Sequence, residues 1–176
     1  MVTLHSASSG DLRPDFLDEL RATLDAAFDD FSEDDWHHAL GGWHVWLTGA
    51  GGVISHGSLV ERTLVCSGHE LRVGYVEAVA TAPAYRRNGH GATVMKHLGE
   101  VIRERYAVGA LSTGAHAFYE TLGWEIWRGP TFVDAPDGRA RTPDDDGGIM
   151  ILRTPRSPHL DLDGDIVCDW RQGDVW

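Results

Sequence analysis

The sequence predicts a single domain, residues 1–176, that mixes helices and strands around one sheet. Three observations carry that reading: two helical periods open the chain, an antiparallel meander follows from Trp43 to Thr81, and strands and helices then alternate as β-α-β-α-β. With 176 residues, 42% of them hydrophobic, the chain can bury one core of ordinary stability and has little room for a second.

From Asp11 to Phe31, the residues Leu12, Phe16, Leu20, Leu24, Ala27 and Phe28 recur at three- and four-residue steps and share one helix face. Pro14 falls in the first turn, where a missing N–H is tolerated. Ser32 followed by Asp35 has the form of a capping box, opening a short second helix through Trp36 and Leu40 that Gly41-Gly42 stops. Two helices are thus expected before the sheet. Trp43–Thr48, Val53–Val65 and Leu71–Thr81 are extended, with turns at Gly49–Gly52 and Cys66-Ser67-Gly68. Gly91–Tyr106 is helical, with Val94, Met95, Leu98, Val101 and Ile102 on one face. Val108–Thr113 reads as a buried strand, Ala115–Leu122 as a helix ended by Gly123, and Trp124–Trp127 as another strand. Thr131–Gly148, rich in Pro, Asp and Gly, reads as a long functional loop, after which Ile149–Leu152 closes the sheet. The tail from Arg153 contains Ile166, Val167, Cys168, Trp170, Val175 and Trp176, too apolar a set to lie free in water.

Charge excludes some partners. Lys+Arg 15 against Asp+Glu 27 leaves a formal charge of −12, a field that repels phosphate backbones and anionic lipid. Nucleic acid and membrane surfaces are therefore not expected partners. No apolar run approaches the roughly 18 residues of a membrane span, and Met1–Ser6 lacks the order of a signal peptide, so a cytoplasmic location is expected. Cys66 and Cys168 lie far apart and read as ordinary thiols. The ten histidines, including His37-His38, His44, His56, His69 and His90, show no metal-ligand spacing, read as surface or packing residues, and imply no metal.

The most informative stretch is a strand, then Pro83-Ala84-Tyr85, then Arg86-Arg87-Asn88-Gly89-His90-Gly91-Ala92, then a helix. Closely spaced glycines let backbone N–H groups turn towards a ligand, and the helix adds its positive end, which together make a pyrophosphate cradle. Gly-Lys-Ser/Thr is missing, so this is no Walker loop. The pattern resembles Arg/Gln-x-x-Gly-x-Gly/Ala, the acetyl-CoA signature of the GCN5-related N-acetyltransferases, with Arg86, Gly89 and Gly91 in the fixed places. The resemblance extends back through Gly74–Thr81 and forward through Phe118-Tyr119-Glu120-Thr121-Leu122-Gly123-Trp124. Within that superfamily the chain is similar to the aminoglycoside 2′-N-acetyltransferases of actinobacterial type. The resembling stretches are Asp35-Trp36, Leu40-Gly41-Gly42, Gly74–Glu77, Gly109–Ser112, Arg141–Gly147 and Cys168–Trp176.

This resemblance implies an α+β, three-layer fold: a mixed, mostly antiparallel sheet of about seven strands, helices on both faces, and a central parallel pair, Leu71–Thr81 and Val108–Thr113, that splays apart. It implies acetyl-CoA as co-substrate, held by Val79, Ala80 and Thr81 along the pantetheine arm and by Arg86, Arg87, Asn88, Gly89, His90 and Gly91 at the pyrophosphate. The acceptor it implies is an aminoglycoside or another polycationic amino sugar, contacted by Asp30, Asp35, Glu77, Ala78, Ser112, Asp144, Asp145, Asp174 and the terminal carboxylate of Trp176. A homodimer is implied as well.

Acetyl transfer to an amine needs a neutral nucleophile, a polarised thioester carbonyl and a proton for the departing thiolate. Tyr119 is the phenol that the resemblance places beside the sulfur; the same residue also fits an apolar helix face. Glu77 is a carboxylate in an apolar strand, either a general base acting through water or half of a structural ion pair with Arg62 or Arg72. Asp144-Asp145-Asp146 fits a solvated acidic loop as well as a cluster that receives ammonium groups. Two other readings stand beside 2′-acetylation: the same transfer onto a polyamine or cell-wall amino sugar, and a non-catalytic module that binds acyl-CoA or aminoglycoside.

Overall fold

The computed structural model describes residues 1–176. The chain divides into two compact units, residues 1–60 with 76–98 and residues 61–75 with 99–176.

In the first unit, β1 (Thr3–Ser8) pairs antiparallel with β2 (Trp43–Gly49), and β2 pairs with the first half of β3 (Gly52–Cys66). The opening strand corrects the expectation that two helices precede the sheet. It is an edge strand with no fully buried residue, so no period of two marks it. α1 (Pro14–Ala27) starts with proline at its first positions, as expected. Its Leu20 and Leu24 are fully buried against Val53 of β3 and Ala80 of β4 (His69–Thr81), with Phe16, Trp36, Trp46 and Ala78 packed around them. α2 (Glu33–Ala39) opens on the reciprocal capping box of Ser32 and Asp35. α3 (His90–Arg105) buries Val94, Met95 and Leu98 in this unit, and Val101 and Ile102 in the other.

Gly42 is required by a close approach. A Cβ there would overlap the Leu59 carbonyl oxygen, a backbone atom that cannot rotate away. Gly42→Ala is therefore expected to cost roughly 1–3 kcal/mol, or about 2–4 °C of Tm for each kcal/mol, read by thermal melting.

The second unit carries the hydrogen-bonded strand order β6-β9-β5-β4-β3-β10-β7-β8. Here β5 is Val108–Ser112, β6 Glu125–Ile126, β7 Thr131–Ala135, β8 Gly138–Arg141, β9 Ile149–Arg153 and β10 Ile166–Asp169. Two pairs are parallel, β4 with β5 and β7 with β10; the other registered pairs are antiparallel. Val108–Leu111 and Ile149–Leu152 are buried throughout, which is why they read as continuous apolar runs. The parallel ladder of β4 and β5 spans Val73–Tyr75 against Val108–Ala110, and β4 runs on to Thr81 beyond it.

Ten strands stand where about seven were expected. Six of them are the segments read as extended in the sequence; the other four are β1, β10 from the apolar tail, and β7 and β8 from Thr131–Gly148. The tail supplies β10, seated between β3 and β7. Thr131–Gly148 is not a long loop but the hairpin β7–β8 followed by a 3-10 turn at Pro143–Asp145. Every residue of β8 is exposed, so no hydrophobic alternation disclosed it. α4 is shorter than expected, His116–Glu120, and the strand after it is trimmed to Glu125–Ile126.

Candidate active site

In the first unit the predicted cofactor residues run from the end of β4 (Val79–Thr81) through the turn Arg86–Gly89 into the start of α3 (His90, Gly91). Arg87 and Gly89 take left-handed backbone conformations, φ 63° and 80°. A Cβ at Gly89 would meet nothing, so glycine serves the conformation and leaves the approach open. Asn88 Nδ2 donates to the carbonyls of Tyr85 and Arg86, closing the turn on itself. Arg86 braces it from behind, donating to the Thr81 carbonyl at 3.2 Å and to the Ala27 carbonyl at 2.8 Å. The backbone of Thr81 is expected along the pantetheine arm, and its carbonyl already has this one donor. α3 begins at His90, and the amides of its first turn, through Gly91 and Ala92, have no acceptor within the helix.

Upstream, Glu77, Ala78 and Val79 are three successive half-buried residues of β4, following the fully buried run Val73–Val76. Ala78 is left-handed at φ 49°, a conformation that costs a non-glycine residue roughly 1–2 kcal/mol. Of the two arginines considered as structural partners of Glu77, Arg62 pairs with Asp169 at 2.9 Å and Arg72 with Glu61 at 3.2 Å. Asp35 is occupied in its capping box, where its carboxylate accepts from Ser32 N–H and Oγ–H. Asp30 lies exposed just beyond α1.

Among the histidines, His44 and His56 are packed into the interior as a fully buried hydrogen-bonded pair, His44 Nδ1 to His56 Nε2 at 2.9 Å. Burial pushes both well below the usual imidazole range; for His56 the neighbouring His44 adds to this, and the bond to the Ala78 carbonyl opposes it. The folded protein keeps both neutral, whereas the unfolded chain protonates them near pH 6.5. As pH falls below about 6.5 the unfolded state takes up protons that the folded state refuses, so stability drops by up to about 1.4 kcal/mol per pH unit per histidine. Urea midpoints at pH 7 and pH 5 are expected to show that loss, and His44→Gln is expected to shrink it.

In the second unit, Tyr119 sits on α4, 7% exposed, edge-on to Phe118 at 4.9 Å and to Trp124 at 6.1 Å. Burial pushes its phenol up to about 12. It is an aromatic of the core and also a proton donor that stays protonated at any physiological pH. Ser112 ends β5, exposed, beside the Gly148 turn, where Thr113 N–H donates to the Gly148 carbonyl.

The acidic residues divide by task. Asp146 is structural: it makes a two-pronged pair with Arg141 and accepts from Thr131, and Arg141 holds it well below the usual carboxylate range. Asp145 is the opposite case. Burial, then the charge of Asp174, raises its carboxyl. Asp174 in turn accepts from Trp176 N–H at 3.1 Å, and the Trp176 indole, 3% exposed, donates to Thr142 Oγ1 at 2.9 Å. The tail is thus pinned against the Pro143–Asp145 turn, and two carboxylates that repel each other are held as neighbours. The Trp176 oxygen foreseen as a substrate contact is 2.7 Å from Arg171 Nη2.

Sequence reasoning missed the Thr131–Thr142–Asp146–Arg141 network and the stacking of Arg62 and Arg171 on Tyr75, at 4.8 Å and 5.6 Å. Only Arg62 left a signal, as the one arginine of β3. Burial also pushes the Cys66 thiol up to about 12 and the Cys168 thiol up to about 11. No three His, Cys, Asp or Glu side chains converge on a point that could hold a metal.

Comparison with known proteins agrees with this geometry. An aminoglycoside 2′-N-acetyltransferase of Mycolicibacterium fortuitum is 43% identical over 160 residues, covering 89% of this chain and 82% of the relative. The N-acetyltransferase YhbS from Escherichia coli, solved in complex with CoA, superposes with a TM-score of 0.65 at 16% identity, over 95% of this chain and 89% of that one. A GCN5-related N-acetyltransferase from Kribbella flavida superposes at 0.60 with 19% identity over 74% of this chain, which spans about a third (34%) of that protein's length. The family model described as Acetyltransferase (GNAT) family matches residues 10–124, and with it the left-handed turn, the helix that follows and Tyr119. The chain belongs to the GNAT acetyltransferase family.

Proposed function

We propose that this protein transfers the acetyl group of acetyl-CoA to the 2′-amine of an aminoglycoside, by direct attack within a ternary complex. The observation that carries the reading is the 43% identity, over nearly the whole chain, to an enzyme named for that activity. The chain's own chemistry supports it. The open turn at Gly89 and the first-turn amides of α3 suit a pyrophosphate. The neighbouring carboxylates Asp145 and Asp174 suit a ligand with several ammonium groups, as do Asp30, Asp144 and the net charge of −12.

Bound acetyl-CoA supplies the thioester whose carbonyl carbon the amine attacks. Glu77 takes the proton of the substrate ammonium, through a water, leaving a neutral nucleophile. Tyr119 donates its proton to the sulfur as the C–S bond breaks, and the proton that the attacking nitrogen sheds restores the phenol, so the products are amide and free thiol. Asp145 and Asp174 orient the amino sugar, with Ser112 and the Ala78 backbone completing its contacts. Neither cysteine is a thiolate near neutral pH, so a covalent acetyl-enzyme has no nucleophile among them. The same reading makes the protein a cytoplasmic homodimer, to be checked by light scattering and fractionation; no helix is long and apolar enough to cross a membrane.

Gly89→Trp and Gly91→Trp are expected to weaken acetyl-CoA binding by at least about tenfold, with aminoglycoside binding to the apo protein little changed. Titration calorimetry showing full cofactor affinity in both variants contradicts the assignment of the turn. Release of free thiol when acetyl-CoA and an aminoglycoside are mixed with the enzyme separates catalysis from a purely binding role.

A further inference from the structure

Where β4 carries its left-handed residue, the neighbouring strand supports the backbone with side chains. Three fully buried residues of β3 donate to carbonyls of β4: Ser58 to Glu77 at 3.3 Å, His56 to Ala78 at 3.0 Å and Ser55 to Ala80 at 2.9 Å. The middle bond is the end of a longer chain. Gly41 N–H donates to Ser9 Oγ at 2.9 Å, Ser9 Oγ lies 2.7 Å from His44 Nε2, and His44 Nδ1 lies 2.9 Å from His56 Nε2.

A carbonyl oxygen only accepts, and that fixes the polarity of every link. His56 carries its proton on Nδ1, which leaves Nε2 a bare acceptor. His44 then donates from Nδ1, which leaves its own Nε2 to accept the hydroxyl proton of Ser9, while Ser9 accepts from Gly41. Both imidazoles are locked as neutral Nδ1–H tautomers. Because the chain ends on a carbonyl, it cannot deliver a proton to substrate; what it delivers is a fixed donor.

We propose that His56, held in place by His44 and Ser9, is a positioning residue that pins the Ala78 peptide in its left-handed conformation and so aims the Glu77 carboxylate and the Val79 backbone. This rests on the roles given above to Glu77 and Val79. A strained residue persists only where its surroundings over-determine it, and the donor that reaches the Ala78 carbonyl does so from a ring that cannot rotate without breaking two buried bonds.

The test has two arms. Ring 15N–1H correlation spectra of the wild-type protein at neutral pH are expected to show His44 and His56 both as Nδ1–H tautomers; an Nε2–H tautomer at His56 overturns the proposal whatever the activity. In the second arm, His56→Asn keeps an amide donor near the position of Nδ1, whereas His56→Gln moves it towards Nε2. The Asn variant is expected to keep kcat within about threefold, and the Gln variant to lose roughly 10²-fold, with the acetyl-CoA KM raised and the Ala78 amide coupling constant altered only in Gln. Equal kcat per folded molecule in the two variants, or an Ala78 coupling constant indifferent to both, overturns it too. If the wild type releases no thiol with aminoglycosides, the functional reading fails on its own, while the tautomers and the coupling constant still judge the clamp.

Discussion

Tyr119→Phe is expected to lower turnover by roughly 10²–10⁴ while leaving the affinities for both substrates within about twofold. The substitution removes one oxygen and keeps the ring between Phe118 and Trp124, so the packing that buries Tyr119 survives. What disappears is the proton for the departing thiolate. Since burial pushes the phenol up to about 12, the wild-type acid stays protonated through neutral and mildly alkaline pH. Its titration should therefore add no descending limb to kcat below about pH 10, and stopped-time thiol release across pH checks both statements. Wild-type turnover in the Phe variant returns Tyr119 to a purely structural role.

The second large effect is at Asp145 and Asp174. Replacing either with Asn is expected to raise the aminoglycoside KM by roughly ten- to a hundredfold, and replacing both by roughly 10²–10⁴-fold, since each charge-assisted hydrogen bond is worth about 1.5–3 kcal/mol. Acetyl-CoA binding should not change. Stability separates this from a structural effect. The folded state raises the Asp145 carboxyl above its ordinary value, so its charged form is disfavoured by folding and costs stability at neutral pH. Asp145→Asn removes that cost, so Tm is expected to hold or rise while KM worsens. A fall in Tm with an unchanged KM assigns the pair to the scaffold. Asp146→Asn is the contrasting control: it breaks the pair with Arg141 and the bonds to Thr131, and stability is expected to suffer instead.

What could be read in advance follows from where physical constraints leave a periodic trace. α1 and α3 each bury one stripe, and β5 and β9 are buried on both faces, so their apolar patterns are unambiguous. The capping box of Ser32 and Asp35 and the left-handed Gly89 are local constraints and were legible for that reason. β1 and β8 lie at sheet edges with mostly exposed residues, and nothing in their composition distinguishes them from loops. At the site, Glu77 and Tyr119 stood out as a carboxylate and a phenol in apolar surroundings. Ala78 did not, because a left-handed alanine has no sequence signature. The clamp that holds it was invisible because His44, His56 and Ser9 come from three segments, and only the strand register brings them together.

The most direct test of the functional reading is to incubate the protein with acetyl-CoA and an aminoglycoside bearing a 2′-amine, count the thiol released and locate the new acetyl group by NMR. One thiol per acetyl group, with the acetyl on the 2′-nitrogen, is the predicted result. Acetylation confined to another amine of the drug, or no thiol released with any 2′-amino aminoglycoside, would contradict it.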